Sequence, residues 1–259
     1  MTAQAERTGT AATGATTALV RAELLKLTSV RTPRWVLLAQ VALLALAASG
    51  AVVSGALTAQ DLARPDGLRR LLEHGGVVGI LSLAVGITLS AGEFRHGTAV
   101  DTFLTEPRRV RATVSKLLAG LVAGLVAGVV VATATLAIGA FWCRERGVTM
   151  DWSVAWRSGA GVLGWQALYT VIGVALGAVV RAQATAVVAA VVWLFVAETA
   201  IAQLADPVGR WLPATAAAAL GNAPDGGLLP QAGGGLVLLA WTLAAGVTAA
   251  VVTARRDLT

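Results

Sequence analysis

Six uncharged stretches, each long enough to cross a bilayer as a helix, dominate the chain, and the loops between them alternate in Lys and Arg content. They cover about residues 34–58, 75–92, 117–142, 159–180, 184–205 and 233–254, and apart from Arg34 at the very start of the first, Glu198 is the one formal charge lying inside a stretch. A helix rises about 1.5 Å per residue, so roughly 18 to 20 apolar residues cross about 30 Å of hydrocarbon. A lone strand would leave its amides unpaired in lipid, which makes helix the reading that satisfies the backbone. The expected fold is therefore an all-α membrane protein, a single six-helix transmembrane domain over residues 18–259. Residues 211–224 are apolar but too short to span, and they read as an interfacial or re-entrant segment.

The chain is 56% hydrophobic and 13% charged, with mean hydropathy +0.75, and a soluble domain of this length carries about twice that charge. Placing the N-terminus inside puts 13 of the 20 basic residues on the inner side, among them Arg95, Arg108, Arg109, Arg111 and Lys116. Arg64, Arg69, Arg70, Arg144, Arg146, Arg157 and Arg210 fall outside, where seven acids match them. By the positive-inside bias, both termini are expected in the cytoplasm; the membrane expected is the plasma (inner) membrane. A pI near 10.9 would suit nucleic acid, but the basic residues sit at span ends, where anionic lipid headgroups are the natural partner. No nucleic-acid partner is expected.

Trp35, Trp142, Trp152, Trp156 and Trp211 fall at expected span ends, the headgroup zone an indole favours, while Trp165, Trp193 and Trp241 fall inside spans and read as packing residues. The single cysteine, Cys143, excludes an internal disulfide. His74 and His96 lie too far apart in this topology to share a metal, so no metal site is expected. The first span follows a basic leader of more than 30 residues and reads as an uncleaved signal anchor.

Residues 1–17, rich in Ala, Thr and Gly, are expected to be disordered. Residues 18–31 place Val20, Leu24 and Leu27 along one side and read as an amphipathic helix in the inner interface, before Pro33 opens the first span. Between the second and third spans, residues 92–116 combine dense charge with Val100, Phe103 and Leu104. Thr98 can cap a short helix reaching about residue 105, which Pro107 would end. Such a helix presents Phe103 and Leu104 to lipid or to a cytoplasmic partner.

In the third span Gly120, Gly124 and Gly128, each preceded by alanine, form a small-residue ribbon suited to close helix packing. Gly173 and Gly177 make a second, weaker one. Glu198 must face protein, water or a cation, because a carboxylate in hydrocarbon costs on the order of 3 kcal/mol. It is either a polar element of a transport path, together with Gln166 and Tyr169, or a structural group, protonated or paired, satisfied by Gln203, Gln166, Tyr169 or Arg210.

No G-x-x-x-x-G-K-[ST] sequence occurs, and neither lysine, Lys26 or Lys116, follows a glycine. The chain cannot hold ATP in a P-loop, and it has no nucleophile elbow or H-E-x-x-H helix, so it is not expected to be an enzyme or to bind a cofactor itself.

The loop carries a resemblance. Gly92-Glu93, Gly97-Thr98, Phe103-Leu104, Pro107-Arg108-Arg109 and Lys116 resemble the signature of the type-2 ABC exporter permease family. Glu23, Lys26, Ser29 and Arg31 before the first span, and Arg210-Trp211-Leu212-Pro213 after the fifth, are similar to the same group. The resemblance implies a permease subunit that pairs with a second permease, either another copy or a different subunit, and with cytoplasmic ABC ATPase subunits that bind ATP and Mg. It implies a coupling helix at about residues 98–105 and ATPase-coupling roles for Glu93, Gly97, Thr98, Thr102, Phe103, Leu104, Pro107, Arg108 and Arg109. The alternatives are a secondary transporter, which ordinarily shows more intramembrane charge or paired broken helices, and a non-transporting scaffold or assembly factor.

Overall fold

The computed structural model describes residues 2–96 and 108–255, with side chains from Thr16 onward except at His96 and Asp206. All regular structure among these residues is helical. In order come α1 (Thr2–Ser29), α2 (Thr32–Val53), α3 (Ala59–Leu62), α4 (Pro65–Leu72), α5 (His74–Val77), α6 (Gly79–His96), α7 (Arg109–Glu145) and α8 (Trp152–Val180). They are followed by α9 (Gln183–Val192), a π-helical turn (Trp193–Ala197), α10 (Glu198–Leu204), α11 (Asp206–Gly209), α12 (Pro213–Leu220) and α13 (Gln231–Arg255).

Six helical runs are long and apolar enough to cross a membrane: α2, the run Pro65–Arg95 that ends in α6, α7, α8, the run Gln183–Leu204, and α13. Their boundaries differ from the sequence reading in instructive ways. The first span ends at Val53 rather than near residue 58, because the chain turns at Gly55, whose φ of 81° suits glycine. The third begins at Arg109 and the fourth at Trp152, each adding turns beyond its apolar core. At 37 residues α7 is about 55 Å long, well beyond the hydrocarbon thickness. Helix α1 starts upstream of residue 18.

The bundle is organised around α8, whose apolar window is 61% buried against 17–44% for the other runs. Glycine makes that possible. Helix α6 runs parallel to α8 so closely that a Cβ on Gly86 would strike the Thr170 carbonyl oxygen, and one on Gly173 the Leu83 carbonyl oxygen. On its other side α8 meets α7 in antiparallel fashion. A Cβ at Gly120 would stand 2.7 Å from Val174 Cγ2, at Gly124 2.8 Å from Ala167 Cα, and at Gly128 2.8 Å from the Leu163 carbonyl oxygen. The expected ribbon does face a neighbouring helix, and the expected weaker pair, Gly173 and Gly177, packs against α6 just as tightly.

At the end of the bundle away from α1, Leu68, Leu71 and Leu72 of the amphipathic α4 are buried, and Leu68 and Leu72 join Cys143, Val154 and Ala155 in one cluster. Residues 211–224 prove to hold a helix inside the protein. Ala216, Ala217 and Ala219 of α12 are buried, Gly161 of α8 approaches the Leu220 carbonyl, and Gly234 of α13 approaches that of Ala216.

Overpacking a tight helix crossing costs about 1–3 kcal/mol or more. Gly173→Ala and Gly124→Leu are expected to lower the thermal stability of the detergent-solubilised chain clearly, whereas Val129→Leu, at a side chain 53% exposed, is expected to be neutral. Equal melting of the three variants would contradict the packing described.

Candidate functional site

At the end of the bundle that carries α1, four charges alternate around a closed ring. Lys26 of α1 donates to Glu23 Oε1 at 2.8 Å and to Glu93 Oε1 at 2.7 Å. Lys116 of α7 donates to Glu23 Oε2 at 3.0 Å and to Glu93 Oε1 at 2.6 Å. Glu23 is 5% exposed and Lys116 8% exposed, so the inner half of the ring is out of water. These are the only two lysines of the chain.

The local sequence explains the placement. Glu23 and Lys26 are three apart on α1 and share a face, beside the half-buried Val20, Leu24 and Leu27. Glu93 lies in the last turn of α6, and Lys116 two turns into α7. The ring therefore fastens α1 to the two helices from which residues 97–107 spring. Arg34 of α2 adds a bond to the Thr28 carbonyl at 2.9 Å, and Arg181, in the left-handed turn that ends α8, lies 5.2 Å over the Phe94 ring. Mutually hydrogen-bonded opposite charges satisfy one another, and such an arrangement fastens elements rather than performing bond chemistry.

Partial burial pulls the Lys26 ammonium down, but hydrogen bonds and charge from Glu23 and Glu93 outweigh it, and Lys26 titrates above the ordinary lysine range.

Of the residues implied to couple to an ATPase, Glu93, Arg108 and Arg109 are described. Glu93 is in the ring, Arg108 precedes α7 and Arg109 opens it. Gly97, Thr98, Thr102, Phe103, Leu104 and Pro107, and the coupling helix expected at 98–105, lie outside the described residues.

Gln166, Tyr169 and Glu198 are all buried, at 0%, 3% and 2% exposure, but they belong to different surroundings. Gln166 sits in a network in the middle of the bundle. Gln40 Nε2 donates to Gln166 Oε1 at 3.1 Å, to Ser82 Oγ at 2.9 Å and to the Val78 carbonyl at 3.1 Å. Ser82 Oγ donates to Gln166 Oε1 at 2.5 Å, and Gln166 Nε2 to the Gly75 carbonyl at 3.2 Å. This pins α2, α5, α6 and α8 together through groups that would be costly unpaired in lipid.

Glu198 accepts the Ala214 N–H at 2.7 Å on Oε2. Its carboxylate thus serves the first turn of α12, where the helix dipole favours a negative charge. None of the side chains expected to satisfy it does so by a hydrogen bond, and Oε1 has no donor among the described residues. Tyr169 packs edge-on against Trp165, with ring centroids 5.7 Å apart.

Sequence reasoning missed Gln40, although a lone glutamine among apolar residues in a span was the signal. It also missed the pairing of Glu23, Lys26, Glu93 and Lys116, because those residues are up to 93 positions apart. Among the described residues no group of three or more His, Cys, Asp or Glu side chains could hold a metal ion. No family model and no curated protein matches this chain.

Removing Lys116 would take a buried cation away from Glu23 and Glu93, and breaking a buried pair costs about 3–5 kcal/mol. Lys116→Met is expected to lower stability by that order, with partial recovery in the Glu23→Gln/Lys116→Met double variant, both read by thermal unfolding. No recovery would contradict the ring. Because the folded Lys26 value is raised, its contribution is complete below the unfolded lysine value and fades as pH rises through the folded one. A fluorophore on α1 is expected to report loosening in that alkaline window, and Lys26→Arg, charged throughout, to remove the step. An unchanged step in the arginine variant would assign it elsewhere.

Proposed function

We propose that this chain is the membrane permease subunit of an ATP-binding-cassette exporter, and that a separate cytoplasmic ATPase, loaded with ATP and Mg, drives it. The observation that carries this reading is the ring of Glu23, Lys26, Glu93 and Lys116 at both roots of the 97–107 segment. A segment that transmits force from a partner needs roots that do not yield, and a ring of charges whose inner half is out of water supplies them. Glu93 belongs to the Gly-Glu pair through which the chain resembles the type-2 family, and its two lysine partners give that resemblance a physical role.

In this reading residues 98–105 form the coupling helix, with Phe103 and Leu104 as anchors in a groove of the ATPase and Arg108 and Arg109 at its rim. Gly97, Thr98, Thr102 and Pro107 shape the helix ends. ATP-driven closure of the ATPase displaces this helix, and the ring passes the displacement to α1, α6 and α7 together. The six spans then alternate between inward and outward access. Only differential contact with the two states can move such an equilibrium. Both termini face the cytoplasm, α1 lies in the inner interface of the plasma membrane, and a second permease, identical or different, completes the pathway. The weakly buried faces of α2 and of the run Gln183–Leu204, 22% and 17% buried over their apolar windows, suit that second subunit.

Interface anchors cost about 2 kcal/mol or more each on truncation. Replacing Phe103 and Leu104 together by alanine is expected to weaken ATPase pull-down by well over tenfold and to reduce vesicle transport, with membrane insertion intact. Normal pull-down and transport in the double variant would refute the coupling role. For orientation, cysteines at Thr10, Glu106 and Thr259 are expected to react only when the inner face is opened, and those at Asp66, Asp151 and Asp225 from outside. Labelling of Glu106 from outside would overturn both topology and coupling.

A further inference from the structure

A cavity of about 450 Å³ lies between α6, α8, α9 and α13. Its wall is nearly all carbon, from residues such as Leu83, Ile172 and Leu176, and includes three aromatic rings: Tyr169, Trp193 and Trp241. Among the described residues no Lys, Arg, Asp or Glu lines it. Trp241 is held in place by an indole N–H bond to the Trp211 carbonyl at 2.9 Å.

One buried carboxyl group, that of Glu198, adjoins this wall. Trp193 opens the π-helical turn that leads to Glu198, whose Oε1 has no hydrogen-bond partner among the described residues. Pro213 lines the cavity, and its neighbour Ala214 donates to Glu198 Oε2. Tyr169 of α8 lines the cavity as well. Trp193, by its place in the chain, and Pro213, through Ala214, thus lead from the wall to a carboxyl group with one oxygen engaged and one without a hydrogen-bond partner among the described residues.

We propose that this cavity binds a lipophilic organic cation, with Tyr169, Trp193 and Trp241 offering aromatic faces and Glu198 the compensating negative charge.

The chemistry selects that class over its competitors. Aromatic faces attract a cation most strongly where water is excluded, and an ionised carboxylate within a span is costly until a cation or protein partner compensates it. A hydrated metal ion would have to shed its water into a wall with almost no oxygen ligands. An organic anion would meet like charge. A neutral hydrocarbon or lipid chain would fill the space but leave Oε1 without a partner, so it makes no use of Glu198. A cation whose charge is wrapped in carbon enters the hydrocarbon zone readily and suits both wall and charge.

The test uses two ions of matched size and shape and opposite charge, tetraphenylphosphonium and tetraphenylborate. Their binding to the purified full chain in lipid nanodiscs is measured by equilibrium dialysis, with empty nanodiscs subtracted. The cation is expected to bind the wild-type chain at least about tenfold more tightly than the anion. Glu198→Gln, which keeps an oxygen to accept the Ala214 N–H, is expected to bring the two within about threefold of each other, a loss of charge preference. Trp193→Leu is expected to weaken the cation at least about threefold with the fold retained by circular dichroism. Glu198→Asp, which keeps the charge, is expected to preserve the preference and carries the comparison should the glutamine variant fail to fold. Equal binding of the two ions to the wild type would mark a lipid-like groove and overturn the proposal, as would undiminished preference in Glu198→Gln or unchanged cation binding in Trp193→Leu. Because the assay needs no ATPase, its failure leaves the coupling reading standing, and failure of that reading leaves this site standing.

Discussion

Hydrocarbon offers a polar group no partner, so every amide, hydroxyl and charge of a spanning chain must be settled within the protein. That constraint shapes each level of this structure. It makes the spans helical and turns Gln40, Ser82 and Gln166 into a closed network in mid-bundle. It joins Glu23, Lys26, Glu93 and Lys116 in a ring where two loop roots meet α1. It also explains why a carboxylate in the fifth span is found against the first turn of α12, where a backbone N–H is waiting for an acceptor.

Packing follows the same logic with a different currency. Between helices in lipid the hydrophobic effect gives little, and close contact gives most. The parallel crossing of α6 on α8 and the antiparallel crossing of α7 on α8 are built from glycines that admit backbone carbonyls to within contact distance. The bundle is therefore stiff around α8 and sparse at its outer faces, with α2, the fifth span and α13 only 17–22% buried. In the proposed function, this rigid centre with lightly packed flanks, fastened by charge at one end, is the body that transmits a displacement from a partner to a pathway.

The spans were legible because about 20 apolar residues in a row admit few folds, and the ribbon at Gly120, Gly124 and Gly128 because small residues at every fourth position share a face. Span ends were less legible. Hydropathy marks where lipid ends and not where helix ends, so α7 and α8 run past the apolar limits at both Arg109 and Trp152. The partner of Glu198 was invisible for a specific reason: side chains were searched, and the donor is the backbone of Ala214 in a segment too short to span. The proline at Pro213, favoured in the first turn of a helix, was the available sign that a helix start lay there. Glu23 and Lys26 stood out as part of a resemblance, but their union with Glu93 and Lys116 depends on how three helices meet, which no local pattern encodes.

The central claim is that the ring at the loop roots serves a separate ATPase. The most direct measurement is native mass spectrometry of the complex extracted from its own membrane through a tag on this chain. The account predicts a complex containing permease subunits and a nucleotide-binding subunit of another sequence, with ATP hydrolysis in that preparation and none in the isolated chain. Transport by this chain reconstituted alone, with no second protein present, would contradict it.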